Sequence, residues 1–201
     1  MPRVSQAQAR LNKIKITQTA TKLFRERGIH SVTLAEVMKA SGLTHGGFYG
    51  HFSSKEALAE EACAEAFEQS KAIWRQTATA YSDKHDARNA IVNHYLAPCK
   101  LEKNNDTCPV IAFSGEMARE DVESAIHQTY LQGMNALIET YMSTIEHDSS
   151  AESKAEQRQK ALVEYALMVG AMTLARAAGK TPLSEEILHT VRTFLGSDTS
   201  A

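Results

Sequence analysis

The sequence predicts an all-α protein built as a small three-helix head followed by a larger helical body. Three observations lead there. Apolar residues recur at spacings of three and four along most of the chain, as in Ile16, Ala20, Leu23 and Phe24, or Leu162, Tyr165, Ala166, Val169 and Met172. Alternating runs of β-branched or aromatic residues between turns are missing. Charge is unevenly shared: residues 1–60 carry nine Lys or Arg against four Glu, a surplus of five positive charges, whereas the rest carries 13 basic and 20 acidic side chains. A basic head on an acidic body points to a polyanion that meets the head alone.

Each element follows from local signals. A first helix is expected from about Arg10 to Arg27, with Gly28 past its basic last turn. Thr33-Leu34-Ala35-Glu36 is a capping box opening a second helix that Ser41-Gly42 breaks. A third, from about Thr44 to Gly50, contains Gly46 and Gly47 and is intrinsically unstable, so packing through Phe48 and Tyr49 must hold it. Ser53-Ser54-Lys55-Glu56 reads as a second capping box, with Ser53 as cap, opening a helix to about Ala80. Body helices are expected at about 87–100, 109–118, 120–146, 155–178 and 184–195, with loops at 83–86, 101–107, 148–153 and 179–183. The domains are therefore drawn as a 1–60 helix-turn-helix head and a 61–201 helical body.

Several classes are excluded. No apolar run approaches the roughly 18 to 20 residues of a membrane span, and the N-terminus lacks the apolar stretch of a secretory signal. Three cysteines, Cys63, Cys99 and Cys108, form no disulfide framework or zinc spacing, which fits a reducing cytoplasm. No nucleophile elbow, zinc-protease, phosphate-loop or dinucleotide motif occurs. Glu186 and His189 make one isolated Glu-x-x-His pair, and His85, His94, His127 and His147 have no ligand spacing. No enzyme activity, metal or cofactor is expected.

Helix, tight turn (Ser41-Gly42-Leu43) and short helix form a helix-turn-helix, whose second helix enters a major groove. Thr44 and His45 carry the donors and acceptors for base edges there, and Gly46 permits close approach to a thymine methyl or the sugar backbone. Tyr49, His51, Lys55 and Thr33 are candidates for phosphates, with Lys13 and Lys15 of the first helix flanking them.

From Ile14 to Ala62 the segment resembles the TetR family of bacterial transcriptional regulators. The string Phe48-Tyr49-x-His51-Phe52-x-x-Lys55 carries most of that likeness. The resemblance implies Thr44, His45 and Gly46 at the major groove, Tyr49, His51 and Lys55 near phosphates, and Thr33 as a cap close to the DNA backbone. Met38 and Lys39 are mild departures from the family pattern. It further implies a helical homodimer on a palindromic double-stranded operator, a ligand-responsive repressor released by a small-molecule effector.

In the body, Ala166 to Met172 is apolar all round, and a helix without a polar face has to be covered on more than one side. Leu162, Ala166, Val169, Gly170 and Thr173, with Ile187, Val191 and Phe194 of the last helix, are expected to build a four-helix dimer interface. Tyr95, Cys99, Cys108, Met117, Tyr130, Met134 and Tyr165 are candidate effector-pocket residues. Cys108 precedes Pro109 at a helix start, where unpaired N–H groups favour a thiolate. The alternative control mode is therefore oxidation or electrophile modification of Cys108, with Cys99 as a possible companion; a DNA-binding protein under no ligand control is the other.

Overall fold

The computed structural model describes residues 6–101, 107–146 and 151–196. Its helices are α1 (Gln6–Arg27), α2 (Leu34–Ala40), a 3-10 helix (His45–Gly50), α3 (Lys55–Thr79), α4 (Lys84–Tyr95), a 3-10 turn (Pro98–Leu101), α5 (Pro109–Met117), α6 (Ala125–Met142), α7 (Ala151–Ala178) and α8 (Pro182–Gly196). The all-α class is as the periodicity predicts, and several boundaries differ for identifiable reasons.

α1 begins at Gln6, since nothing in Gln6–Ala9 breaks a helix. The cap of α3 is Ser54, not Ser53: its Oγ accepts from the Ala57 amide at 3.2 Å. Residues 84–86 are not loop but the first turn of α4, because the Asp83 carboxylate accepts from the Asp86 N–H at 3.0 Å. α4 stops at Tyr95, since Pro98 lacks a donor and disfavours helical geometry just before it. α6 starts at Ala125 rather than 120, because Asp121 and Ser124 turn the backbone first, through bonds to the amides of Glu123 and His127. His147 and the expected loop residues 102–106 and 148–150 lie outside the described residues, whereas 151–153, expected as loop, are the start of α7.

The chain divides into two compact units, Met1–Glu68 with Asn105–Gly133, and Gln69–Asn104 with Met134–Ala201. In the first, Ile16, Ala20 and Phe24 of α1 are buried, as are Val37 and Met38 of α2, Phe48, Phe52, and Leu58, Ala62 and Cys63 of α3. The α5 segment belongs to this unit and is bonded to the end of α1: Arg25 Nε donates to the Thr107 carbonyl at 2.8 Å. Phe67 of α3 lies against the α6 backbone at Gly133, where an added Cβ would come within 2.2 Å of the ring. The same ring meets Tyr130 edge-on at 5.6 Å, and the Tyr130 hydroxyl donates to the Val110 carbonyl at 3.2 Å.

The second unit is organised around Trp74, the only tryptophan, which Tyr95, Tyr141 and Tyr165 surround at 5.8, 6.1 and 5.9 Å between ring centres. Beside it runs a buried ionic network. Arg88 donates from Nε and Nη2 to the two oxygens of Glu164 at 2.8 and 2.9 Å, and from Nη2 to the Leu195 carbonyl at 3.0 Å. The Tyr141 hydroxyl donates to Glu164 at 2.6 Å. Burial and the facing carboxylate push the Tyr141 hydroxyl up and keep it protonated. Burial opposes the Arg88 charge most strongly of any one cause, but the interactions with Glu164 and Tyr141 together outweigh it and hold the guanidinium above its usual range.

One sequence expectation needs amending. The 153–178 stretch of α7 contains an 18-residue window of mean hydropathy 1.3, long and apolar enough by length and composition to cross a membrane. It nonetheless carries Gln157, which donates to the Met142 and Ile145 carbonyls, and Glu164, both buried with partners inside the unit. That is the pattern of a core helix. Only 39% of its most apolar window is covered, leaving a face open.

Two substitutions test this packing in urea melts followed by Trp74 fluorescence. Gly133→Ala should lose about 1–3 kcal/mol, because the ring of Phe67 has to move. Glu164→Ala should lose about 3–5 kcal/mol, because it strands the Arg88 charge in the interior.

Candidate nucleic-acid interface

The turn and short helix are assembled by local backbone chemistry. Thr33 caps α2 in a complete capping box: its Oγ1 accepts from the Glu36 amide at 3.3 Å, and the Thr33 amide donates to Glu36 Oε2 at 2.8 Å. Arg27 adds a 3.0 Å bond to the other Glu36 oxygen. These donors, the Thr33 amide and hydroxyl first, pull the Glu36 carboxyl down to about 2. Gly42, at φ +68, then turns the chain, while the Leu43 N–H donates back to the Met38 carbonyl at 2.9 Å.

The third element is a 3-10 helix rather than an α-helix, capped by the extended residue Thr44. Its anchor is Phe48, fully buried and stacked on Phe52 at 5.6 Å between ring centres. Tyr49, expected to share in holding the helix, is instead 68% exposed, touching Phe48 edge-on at 5.2 Å. Thr44, His45, Gly46, Gly47 and Gly50 are also exposed, and the Thr44 side chain makes no capping bond. His51 and Lys55 are half-buried.

Neither fold nor backbone demands the glycines of this element. None has a positive φ, a Cβ at Gly46 or Gly50 would meet nothing within 4 Å, and one at Gly47 only an ordinary contact. Glycine weakens a helix by about 1 kcal/mol relative to alanine. Among the described residues, no close approach at these positions requires glycine.

The flanking groups divide by engagement. Thr33 has its hydroxyl committed to Glu36, to which it also donates at 2.8 Å. Lys13 is paired with Glu61 at 2.5 Å and stands 5.1 Å over the Phe52 ring, so its charge is partly used within the chain. Lys15 lies beside the turn, its Nζ 3.5 Å from where a Gly42 Cβ would be. A cleft of about 530 Å³ lined by Arg10, Lys13, Gly50 and His51, among others, opens next to the 3-10 helix.

The body candidates are distributed between the units. Cys108, Met117 and Tyr130 fall in the first, and Tyr95, Cys99, Met134 and Tyr165 in the second. Met117 and Tyr130 are core, with Tyr130 pushed up to about 12 by burial. Cys99 is exposed in the 3-10 turn. Cys108 is half-buried as the N-cap of α5, with no capping bond from its thiol. Cys63 is buried, its thiol pushed up to about 12. On α7, Leu162, Ala166 and Thr173 are exposed and Val169 and Gly170 half-exposed; on α8, Phe194 is exposed and Ile187 and Val191 half-exposed. Ala161, Ala171 and Ala175 of α7 are buried within the chain. The cluster of exposed Asp83 and Asp86 with half-buried His85 has metal-like spacing, but the Asp83 carboxylate caps α4. Sequence reasoning missed Glu116, whose carboxylate accepts from the Ile29 and His30 amides at 3.0 and 2.9 Å.

A capped helix, a glycine turn and an exposed short helix on a buried aromatic anchor form a helix-turn-helix arrangement. Residues 16–62 match the family described as bacterial regulatory proteins, tetR family. The transcriptional regulator LmrA of Bacillus subtilis is 26% identical over 173 residues, spanning 84% of this chain and 89% of LmrA. AcrR of Shigella flexneri is 36% identical over 61 residues, 30% of this chain and 28% of AcrR. Among solved structures, the reduced form of Escherichia coli NemR aligns with TM-score 0.75 at 18% identity over 92% of this chain and 95% of that one. A TetR-family regulator from Cytophaga hutchinsonii aligns with TM-score 0.77 at 17% identity over 96% of each. The match to the tetR family covers residues 16–62, and over most of the chain the likeness to the two solved structures is one of fold.

The capping box gives a pH-dependent prediction. The Glu36 carboxylate is favoured in the folded state, so its contribution is complete above about 4.5 and lost as pH falls towards 2. The acid limb of wild-type stability should therefore flatten in Glu36→Gln, and Thr33→Ala should cost about 1 kcal/mol at neutral pH in chemical denaturation.

Proposed function

We propose that this regulator binds a palindromic operator as a homodimer, acts as a repressor, and is released by modification of the Cys108 thiol. The glycines of the 3-10 helix carry the DNA half of this reading. They weaken the element, no internal contact needs them, and they leave backbone and side chains of Thr44 and His45 open to base edges. Gly46 lets the helix approach a base or sugar closely. Tyr49, His51, Lys55 and Arg10 would take phosphates around it, while Thr33 acts through the amide end of α2 with its hydroxyl already bonded.

The open stripe on α7 and α8 supports a dimer. Leu162 and Phe194 are 41% and 56% exposed, and Ala166, Val169, Thr173, Ile187 and Val191 continue that face. A second copy covers it by two-fold symmetry, which sets two recognition helices one DNA turn, about 34–36 Å, apart.

The Cys108 reading rests on placement: a half-buried residue at the N-cap of α5, the end of a helix where the dipole favours a thiolate. Cys63 is excluded as a reactive thiol by its burial and raised pKa. A structural neighbour of the same fold, NemR, is described as being in its reduced form, which is in keeping with redox control here. The second reading is a small-molecule effector beside the aromatic cluster around Trp74, with Tyr95 and Tyr165 among its walls.

Gly46→Ala separates a reading surface from a structural one. Melting should be unchanged or raised by up to about 1 kcal/mol, while affinity for a selected operator falls at least tenfold in gel shifts. Unchanged affinity would remove Gly46 from the interface. N-ethylmaleimide should release operator from wild type and not from Cys108→Ser; release from both would shift control to another group.

A further inference from the structure

We propose that Glu116, which lies outside the helix-turn-helix, is a positioning residue that aims the reading element and sets operator selectivity. The idea rests on the DNA-binding reading above and names a residue on which that binding depends. The α1–α2 connection begins at Gly28, and its next two amides, Ile29 and His30, both donate to the Glu116 carboxylate at 3.0 and 2.9 Å. Glu116 sits in the last turn of α5, more than eighty residues further along the chain. Charge-assisted bonds of this kind are about twice as strong as neutral ones.

Two features show that carboxylate and connection are fitted to each other. Gly28 has φ +84, and a side-chain carbon there would stand 3.2 Å from Glu116 Oε1, closer than ordinary contact. The carboxylate also lies at the C-terminal end of α1, where the helix dipole disfavours an anion. It is held there by the two amides against that field. Once the connection is fixed, so is the start of α2, hence the Gly42 turn and the direction of Thr44 and His45.

The same short helix is tied to α1 at its other end, through Arg25 Nε and the Thr107 carbonyl. Thr107 directly precedes Cys108. A group added to the Cys108 sulfur therefore perturbs the segment that grips α1, and Glu116 is where the disturbance reaches the connection between α1 and α2. In this scheme α5 is a clasp with the modified atom at one end and the loop amides at the other.

The test uses full-length protein and two duplexes of equal length, one selected by wild type from a random pool and one scrambled. Glu116→Ala should bind the selected duplex at least tenfold more weakly, bind the scrambled one within twofold of wild type, and exchange the Ile29 and His30 amides at least tenfold faster. Glu116→Gln keeps one acceptor oxygen and should fall between. Affinity for the selected duplex within twofold of wild type, or equal losses on both duplexes alongside a lowered melting point, overturns the proposal. If wild type does not prefer its selected duplex, the DNA-binding reading itself is at fault. If N-ethylmaleimide leaves wild-type binding intact while Glu116→Ala loses selectivity, thiol control falls and the positioning role stands.

Discussion

A six-residue 3-10 helix with three glycines has no means of holding its own shape in water. The head depends on one buried ring to hold it. Phe48 stacks on Phe52 and is fully enclosed, so the backbone on either side of it is pinned while its neighbours face solvent. A rigid anchor beside an exposed, small-residue surface is what close approach to a groove requires. Stability is concentrated in the aromatic pair, and the exposed residues beside it are left out of the core.

Around this anchor the first unit adds directional bonds. The Thr33–Glu36 box fixes where α2 begins, Gly42 fixes the turn, and Glu116 fixes the chain between α1 and α2. Each bond satisfies backbone groups that would otherwise be orphaned at a helix end. The second unit solves a different problem. Its buried charge pair, Arg88 with Glu164, is fully satisfied by Tyr141 and the Leu195 carbonyl and reads as a device for unique packing rather than for binding. That leaves the open faces of α7 and α8 as its conspicuous external feature.

The head was readable from sequence because its determinants are local. A threonine three residues before a glutamate, a serine–glycine break and a phenylalanine–tyrosine pair each specify geometry within one turn, and the structure reproduces the box at Thr33 and the burial of Phe48. Where local signals compete, the reading slipped. Ser53 and Ser54 both suit a cap, and only hydrogen-bond geometry selects Ser54. Asp83 was read as loop although it caps a helix, and the glycines produced a 3-10 turn that periodicity does not distinguish from α. Contacts between distant residues left no trace: nothing near Glu116 announces Ile29, and nothing near Arg88 announces Glu164. Long-range partners are set by tertiary packing, which a single sequence does not display.

The account turns on the exposed helix beginning at His45 reading duplex DNA in two copies related by symmetry. Selection of binding sites from random duplexes by purified protein, with the mass of the resulting complex measured in solution, tests this directly. The account predicts an inverted repeat whose half-site centres lie one helical turn apart or a multiple of it, occupied by an even number of chains. An enriched site without two-fold symmetry, bound by a single chain, would contradict it.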